Sequence, residues 1–434
     1  MNQNCKCNHD QINSLGFCLD CYEEVTNTDN YVQVSKDVFM TKSCAEQQIR
    51  ATTQNLINKQ KLSLLLDLDS TIIFTDQTHL YDLDEIPENV DTSPERGFFF
   101  QIPEYSKKVF VYFRDGIVAF MTKLITLYEI HVVTLGQKDY AMAIVEALNK
   151  LPGGPFINGK IVCSEDCISE ILKDDGDFQN DGLIERNEDT ERRAVKRTVP
   201  GMGSEEVQIV VDDRIDVWDN HNVLQIQEFV LPNSENVKDN ELERISEILK
   251  YVHTEFFGGK SNVRVILSEM REHILKGKKI YFSKPKGGET KMNKMTEFIW
   301  NAIKRNCEMM GAVMQSLVRV DGENKTDLII DAKPYNGIKA VNCGFIMMSW
   351  IMMEEMKLEK FEITDDNSQY KEITKDEIWE DRKRGDSDDG TTTNLSEYTD
   401  DSSDSSDESS EEKNTEEYKN KQKLIRACIE RNKK

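Results

Sequence analysis

A doubly wound parallel α/β sheet, followed by a smaller α/β domain and an acidic tail, is the architecture this 434-residue sequence predicts. Three apolar runs carry the prediction: LSLLL (62–66), HVVTLG (131–136) and VQIVVDD (207–213). Each ends abruptly in polar residues, as buried parallel strands do. Helical patterns lie between them, such as Ile117–Leu127 and Tyr140–Leu148. Strands alternating with helices give an open sheet whose ligand site lies beyond the carboxyl ends of the strands, and all three polar clusters fall there.

Composition narrows the function classes. No apolar run reaches the ~18 residues of a membrane span, and the start does not resemble a signal peptide, so a soluble protein not secreted by a standard route is expected. Ten cysteines spread over the whole chain are not a disulfide scaffold and read as reduced thiols or metal ligands. The net charge of −24 argues against nonspecific nucleic-acid binding and favours basic partners.

In chain order, residues 1–30 come first and hold four of the ten cysteines. Cys7-x-His9 followed by Cys18-x-x-Cys21 gives three thiols and an imidazole at spacing suited to tetrahedral Zn²⁺, the alternative being free thiols in an unstructured N-terminus. Residues 31–257 form the main α/β region. In its DLDST segment, Asp67 and Asp69 sit two apart on a strand and share one face. Two close carboxylates repel, and a hard divalent cation such as Mg²⁺ resolves the conflict. Asp67 then has the chemistry of a nucleophile that binds metal, and Asp69 that of a general acid and base. Thr71 is placed to orient Asp69 or cap the turn. Thr134 ends the second strand, where its hydroxyl and the following amides suit a phosphoryl oxygen. Asp212 and Asp213 end the third, one to complete a metal shell and the other to pair with a cation.

The segments LLLDLDSTIIFT, YEIHVVTLGQKDYA and VVDDRIDVWDNHNVLQI resemble the haloacid-dehalogenase superfamily and, within it, the TFIIF-associating phosphatases of the RNA polymerase II C-terminal domain. The resemblance spans roughly residues 1–365. It implies a haloacid-dehalogenase-like sheet, Asp67 as nucleophile, Asp69 as acid/base, Thr134 as phosphate ligand, and Mg²⁺ held by Asp67, Asp213 and the Asp69 carbonyl. Asp212 is implied as the partner of a catalytic lysine. Arg114, Tyr128, Tyr140 and Arg214 match substrate-groove positions, and the family's N-terminus has a similar Cys/His pattern. One departure concerns the lysine: Arg193 stands where it is expected, in RRAVKRTVP, and Lys196 is the nearest lysine. Arginine and lysine are not equivalent there, so Lys196 is the candidate and reduced activity is an expectation. The stretch 166–199 reads as an acidic surface insertion.

Residues 260–365 resemble a BRCT domain. KGKKIYFS is read as its first strand, FIWNAIKRNCEMM as a helix, KTDLIID as the next strand and GFIMMSWIMMEEMKLEKF as the Trp-bearing final helix. Ser283 and Lys339 are its candidate phosphate pocket. From Gly385 to Glu417 thirteen acidic residues face one basic one, and TDDSSDSSDESSEE has no apolar residue, so residues 380–434 are expected to be a disordered acidic tail. A basic segment, KNKQKLIRACIERNKK, closes it. The resemblance implies a nuclear serine/threonine phosphatase acting on the phosphorylated C-terminal repeat of RNA polymerase II, with the tail recruiting a basic TFIIF-like transcription-factor subunit. The alternatives are a catalytically weakened phosphopeptide-binding adaptor and a small-molecule phosphohydrolase. No membrane or direct nucleic-acid partner is expected.

Overall fold

The computed structural model describes residues 7–76, 79–84, 90–102, 106–171, 192–219, 222–231, 239–283, 294–366, 369–374 and 377–379. The centre of the acidic insertion, the acidic tail and the basic end lie outside these residues. The chain divides into two compact units, 1–271 with 292–302, and 272–291 with 303–434.

The first unit opens on three short strands, β1 (Gln11–Asn13), β2 (Tyr31–Ser35) and β3 (Val38–Thr41), paired antiparallel in the order β1-β3-β2. Because β1 pairs with β3, the Cys/His segment is built into the same unit and does not end at residue 30. Thr41 caps α1 (Lys42–Asn58), accepting the backbone N–H of Cys44. The chain then enters β4 (Leu62–Leu66), every residue of which is buried.

Between β4 and the next core strand lies an antiparallel insertion of β5 (Ile73–Thr75), β6 (Tyr81–Asp82), β7 (Gly97–Ile102) and β8 (Lys107–Phe113), all paired to β8. Helix α2 (Ile117–Leu124) leads to β9 (Tyr128–Val133), and α3 (Lys138–Lys150) to β10 (Ile161–Val162). The described ends of the acidic insertion pair as a hairpin, β11 (Ile168–Ile171) with β12 (Arg192–Val195). Then come β13 (Gln208–Asp212), β14 (Val223–Gln225), α4 (Glu241–Glu255) and α5 (Val263–Arg271). The core sheet is parallel throughout, ordered β10-β9-β4-β13-β14. Strand order reverses between β4 and β13, so the crevice of this doubly wound sheet opens between Leu66 and Asp212.

His131 is fully buried in β9, and its Nδ1 accepts the Lys160 N–H at 2.7 Å. Burial pushes its pKa down to about 4, so it is neutral. Gly159 makes this fit possible: a Cβ there would stand 2.3 Å from His131 Nδ1.

The second unit contains β15 (Lys279–Phe282), the C-terminal part of α6 (Lys294–Met309), β16 (Val313–Gln315), β17 (Val318–Arg319), β18 (Leu328–Ile330), β19 (Lys339–Val341), α7 (Gly344–Met352) and β20 (Ile378–Trp379). Its sheet is parallel, ordered β16-β15-β18-β19. Two sequence expectations change. The expected boundary near residue 258 lies after Arg271, since α5 belongs to the first unit. The final helix stops at Met352 because Met353 takes a left-handed conformation, φ 56°.

The candidate phosphate pocket of this unit is not assembled. Ser283 is level with Asp331 and Asn342, three residues beyond Lys339 in register and two strands away. At strand spacings that is about 10 Å along the sheet and about 10 Å across it. Lys339 instead lies 3.9 Å from Glu362.

Candidate active site

Leu66 ends β4, and the next residues turn at once: the backbone N–H groups of Thr71, Ile72 and Ile73 all converge on the Leu68 carbonyl. Asp67 and Asp69 therefore lie beyond the strand, where the chain enters a tight turn with Ser70 at φ 59°. Asp212 ends the neighbouring strand β13, and Asp213 follows it. Thr134 follows β9 directly and is buried, and its hydroxyl oxygen accepts the Gly136 N–H at 2.9 Å.

Lys196 completes the group. Its Nζ lies 2.6 Å from Asp67 Oδ1 and 2.6 Å from Asp212 Oδ2, and the side chain is buried. Burial alone would lower its pKa, but the two carboxylates hold it above the ordinary lysine value. The cationic position is thus filled by Lys196. Arg193 lies three residues earlier in β12, its backbone in register with that of Glu170.

The carboxylates behave as a crowded buried set. Burial raises Asp67, with Lys196 opposing. Burial and the charge of Asp67 push Asp212 up to about 6, and burial with repulsion from Asp212 raises Asp213 well above the carboxylate range. Carboxylate oxygens of Asp67, Asp212 and Asp213 all lie within 4.8 Å of one another. Three carboxylates against one ammonium leave two uncompensated negative charges in a buried pocket, a donor set that fits a hard divalent cation.

Thr71 does not orient Asp69. Its hydroxyl lies 3.2 Å from Asp67 Oδ2 and 3.3 Å from Asp213 Oδ1, and it accepts the Asp213 N–H at 3.0 Å. The Asp69 carboxylate is not one of that group of three and accepts the Tyr140 hydroxyl at 2.6 Å. Burial raises the Asp69 pKa, and the Tyr140 hydrogen bond partly opposes this.

All four expected substrate-groove side chains have partners within the protein. Arg114 is buried, with Nε on Asp239 at 2.7 Å and Nη1 on the Thr71 and Gln227 carbonyls at 2.8 and 2.9 Å. It braces the turn that follows Asp67, its guanidinium committed to protein acceptors. Tyr128 is wholly buried and donates its hydroxyl to the Leu249 carbonyl at 2.6 Å. Tyr140 lies at the crevice with its hydroxyl committed to Asp69 and Thr75, and its ring stacks edge-on against Phe100 of the antiparallel insertion. Arg214 is half exposed and paired with Asp216 at 2.6 Å.

One functional neighbour escapes sequence reading. The Trp218 indole N–H donates to Asp212 Oδ2 at 2.7 Å, on the same oxygen that accepts Lys196. Its position six residues after Asp212, in DVW, is the only sequence signal for it.

At the N-terminus, Cys7, His9, Cys18 and Cys21 offer ligand atoms all within 4.8 Å of one another. The Cys7 and Cys18 sulfurs are 3.4 Å apart, and Cys21 Sγ lies 3.5 Å from His9 Nδ1. Burial acts to raise the Cys18 thiol, yet the Cys21 and Asp20 N–H groups stabilise its thiolate and bring it down to about 7. Three sulfurs and an imidazole so arranged fit tetrahedral Zn²⁺.

Residues 62–264, which contain the whole buried cluster, match the model of the NLI interacting factor-like phosphatase family. Over these residues the chain resembles an NLI interacting factor-like phosphatase domain. Proteins named as phosphatases of the RNA polymerase II C-terminal domain are similar to it. The one from Schizosaccharomyces pombe is 27% identical over 51% of this chain and 30% of its own length. The Caenorhabditis elegans protein is 24% identical over 67% and 43%, and the Homo sapiens protein 24% identical over 52% and 22%. The chain thus spans less than half of each of these relatives. A solved structure of the fission yeast RNA polymerase II CTD phosphatase Fcp1, bound to beryllium fluoride, aligns with a TM-score of 0.50 and 19% identity. It covers 72% of this chain and 99% of that one, and the likeness is one of fold. The first unit therefore has the doubly wound parallel α/β fold expected from sequence.

Proposed function

We propose that this chain is a Mg²⁺-dependent phosphoprotein phosphatase that passes phosphate through Asp67, with the phosphorylated C-terminal repeat of RNA polymerase II as substrate. The observation that carries the reading is the Lys196 ammonium held at 2.6 Å from both Asp67 and Asp212 at the strand-order reversal. An adaptor that had lost its chemistry would not need a buried lysine between two buried carboxylates. The names of the relatives support the substrate.

In this reading Asp67 Oδ attacks phosphorus, an acyl-phosphate P–O bond forms, and the bond to the serine or threonine oxygen breaks. The departing oxygen takes its proton from Asp69, whose raised pKa favours the protonated form before the step. Asp69, now ionised, then accepts a proton from a water that attacks the same phosphorus, and the bond to Asp67 breaks to release phosphate. Lys196 moves from the Asp67 carboxylate to the phosphoryl oxygens as charge accumulates on them, and Thr134 with the following amides holds another oxygen. Asp67, Asp213 and the Asp69 carbonyl would hold Mg²⁺, which when bound neutralises the phosphoryl group against the carboxylates. Tyr140 keeps Asp69 aimed.

The Cys/His cluster is proposed as a Zn²⁺ site. The second unit is proposed as a BRCT-type module, supported by its parallel sheet order β16-β15-β18-β19. A nuclear location and recruitment of a basic TFIIF-like transcription factor by the acidic tail belong to the same proposal. The test is hydrolysis of phosphorylated heptad peptides against metabolite phosphates in Mg²⁺. Peptide turnover should dominate, and Asp67→Asn should lower it by at least about 10³-fold. Equal turnover of small metabolites would favour a general phosphohydrolase, and no turnover of either an adaptor.

A further inference from the structure

We infer that the N-terminal Cys/His module braces the catalytic lysine, with Arg197 as the positioning residue that makes the connection. The inference rests on the role proposed above for Lys196. Strand β12 ends at Val195, so Lys196 begins an irregular segment whose local backbone tie is its own N–H to the Val217 carbonyl at 2.8 Å. A side chain on such a segment needs support to hold a 2.6 Å geometry. The next residue supplies it: Arg197 Nη1 donates to the Gln33 carbonyl of β2 at 3.0 Å.

The same hairpin of the module holds the opposite wall of the pocket. The Lys36 N–H donates to Asp166 Oδ1 at 3.0 Å, and Lys36 Nζ lies 3.5 Å from Glu165. Both acids sit in the short 3₁₀ turn Ser164–Asp166. That turn is fastened to the phosphate-side loop, with Ser164 N–H on the Gly136 carbonyl at 3.0 Å and Cys167 Sγ 3.8 Å from the Thr134 carbonyl. The β2–β3 hairpin therefore touches both the segment that carries Lys196 and the turn that backs Thr134.

The hairpin is in turn tied to the metal-ligand cluster. Strand β1 pairs with β3, Tyr31 donates its hydroxyl to the His9 carbonyl, and the Cys18 and Ile12 backbones are bridged. Loss of the fourfold Cys/His closure frees this small sheet, because three strands of three to five residues bury little of their own. The effect then reaches Lys196 although no cluster residue touches the reacting phosphate. Arg197 is not a stability residue in the ordinary sense. Its Nε and Nη2 are buried with no hydrogen-bond partner among the described residues, a costly arrangement whose removal should leave the fold intact.

The test uses the full chain with Zn²⁺ and Mg²⁺, comparing wild type with Arg197→Ala, Arg197→Lys and Cys18→Ser. The readouts are p-nitrophenyl phosphate kinetics and amide hydrogen exchange of the peptide spanning residues 194–200. Arg197→Ala should lower kcat about tenfold with KM within about twofold, and should speed exchange at 194–200. Arg197→Lys, which can still reach a carbonyl, should recover most of both. Cys18→Ser should speed exchange at the same peptide. Exchange and kcat unchanged in Arg197→Ala would overturn the brace, as would Cys18→Ser exchange confined to residues 7–41. Should the wild type show no turnover, the phosphatase reading falls and the exchange data alone decide the brace.

Discussion

Both units place an aspartate at the end of a central parallel strand, fully buried in the first and half-buried in the second, and only one of them builds chemistry on it. In the first unit Asp67 and Asp212 stand at the ends of adjacent strands at the point where strand order reverses, and a lysine from a distant segment lies between them. In the second unit Asp331 follows β18, and its carboxylate accepts the N–H of Cys343, at the start of α7, at 2.8 Å. Burial pushes Asp331 up to about 6, the same value as Asp212. A raised carboxylate pKa therefore does not mark a reaction centre by itself. What separates the two is convergence: several strand ends delivering an excess of negative charge and a matched cation in one case, and a single acid serving a helix start in the other.

Removing the cation should give the largest contrast. Lys196→Ala leaves Asp67 and Asp212 facing each other and should lower kcat by about 10²–10³-fold, measured with p-nitrophenyl phosphate. Asp331→Asn should leave kcat unchanged, and a comparable loss there would break the comparison.

The second contrast lies in stability. A carboxyl whose folded pKa is raised favours folding most below its unfolded value near 4, and that contribution is lost as pH rises through the folded value, about 6. Asp331 should therefore cost the second unit up to about 3 kcal/mol between roughly pH 4 and pH 6. Asp331→Asn keeps an acceptor for Cys343 and should abolish that slope in calorimetric unfolding of the full chain.

A smaller effect sharpens the chemistry of the first site. The Tyr140 hydroxyl lowers the Asp69 pKa against a raising effect of burial. Tyr140→Phe should let Asp69 rise further, moving the alkaline limb of the kcat–pH profile upward while lowering kcat by about tenfold. A drop in kcat/KM carried by KM alone would return Tyr140 to a substrate-gripping role.

The sheet and its acidic tips were legible because each depends on local pattern: an apolar run cut off by Asp67, Thr134 or Asp212 can be read without knowing the rest of the chain. Lys196 was harder. It follows a long acidic insertion that disturbs the spacing, so Arg193 occupied the expected place and only three-dimensional convergence separates the two. Arg114 and Tyr128 show the opposite difficulty. Their polar atoms suggest a substrate, yet Arg114 is matched by two carbonyls and a carboxylate and Tyr128 by one carbonyl, partners that sit up to 125 residues away. The Ser283 and Lys339 pairing failed on register, which composition does not encode. The extension of the second unit past residue 365 was equally hidden. There Tyr281, Lys371 and Thr374 converge on Glu377, and burial notwithstanding, these donors hold that acid at about 2.

The covalent role of Asp67 can be read directly by mass spectrometry after an acid quench of a single turnover of a phosphorylated heptad peptide in Mg²⁺. A phosphoryl group on the tryptic peptide containing Asp67, absent from Lys196→Ala at early times and from Asp67→Asn at all times, is the expected result. Peptide hydrolysis with Asp67 never modified, or undiminished hydrolysis by Asp67→Asn, would contradict it.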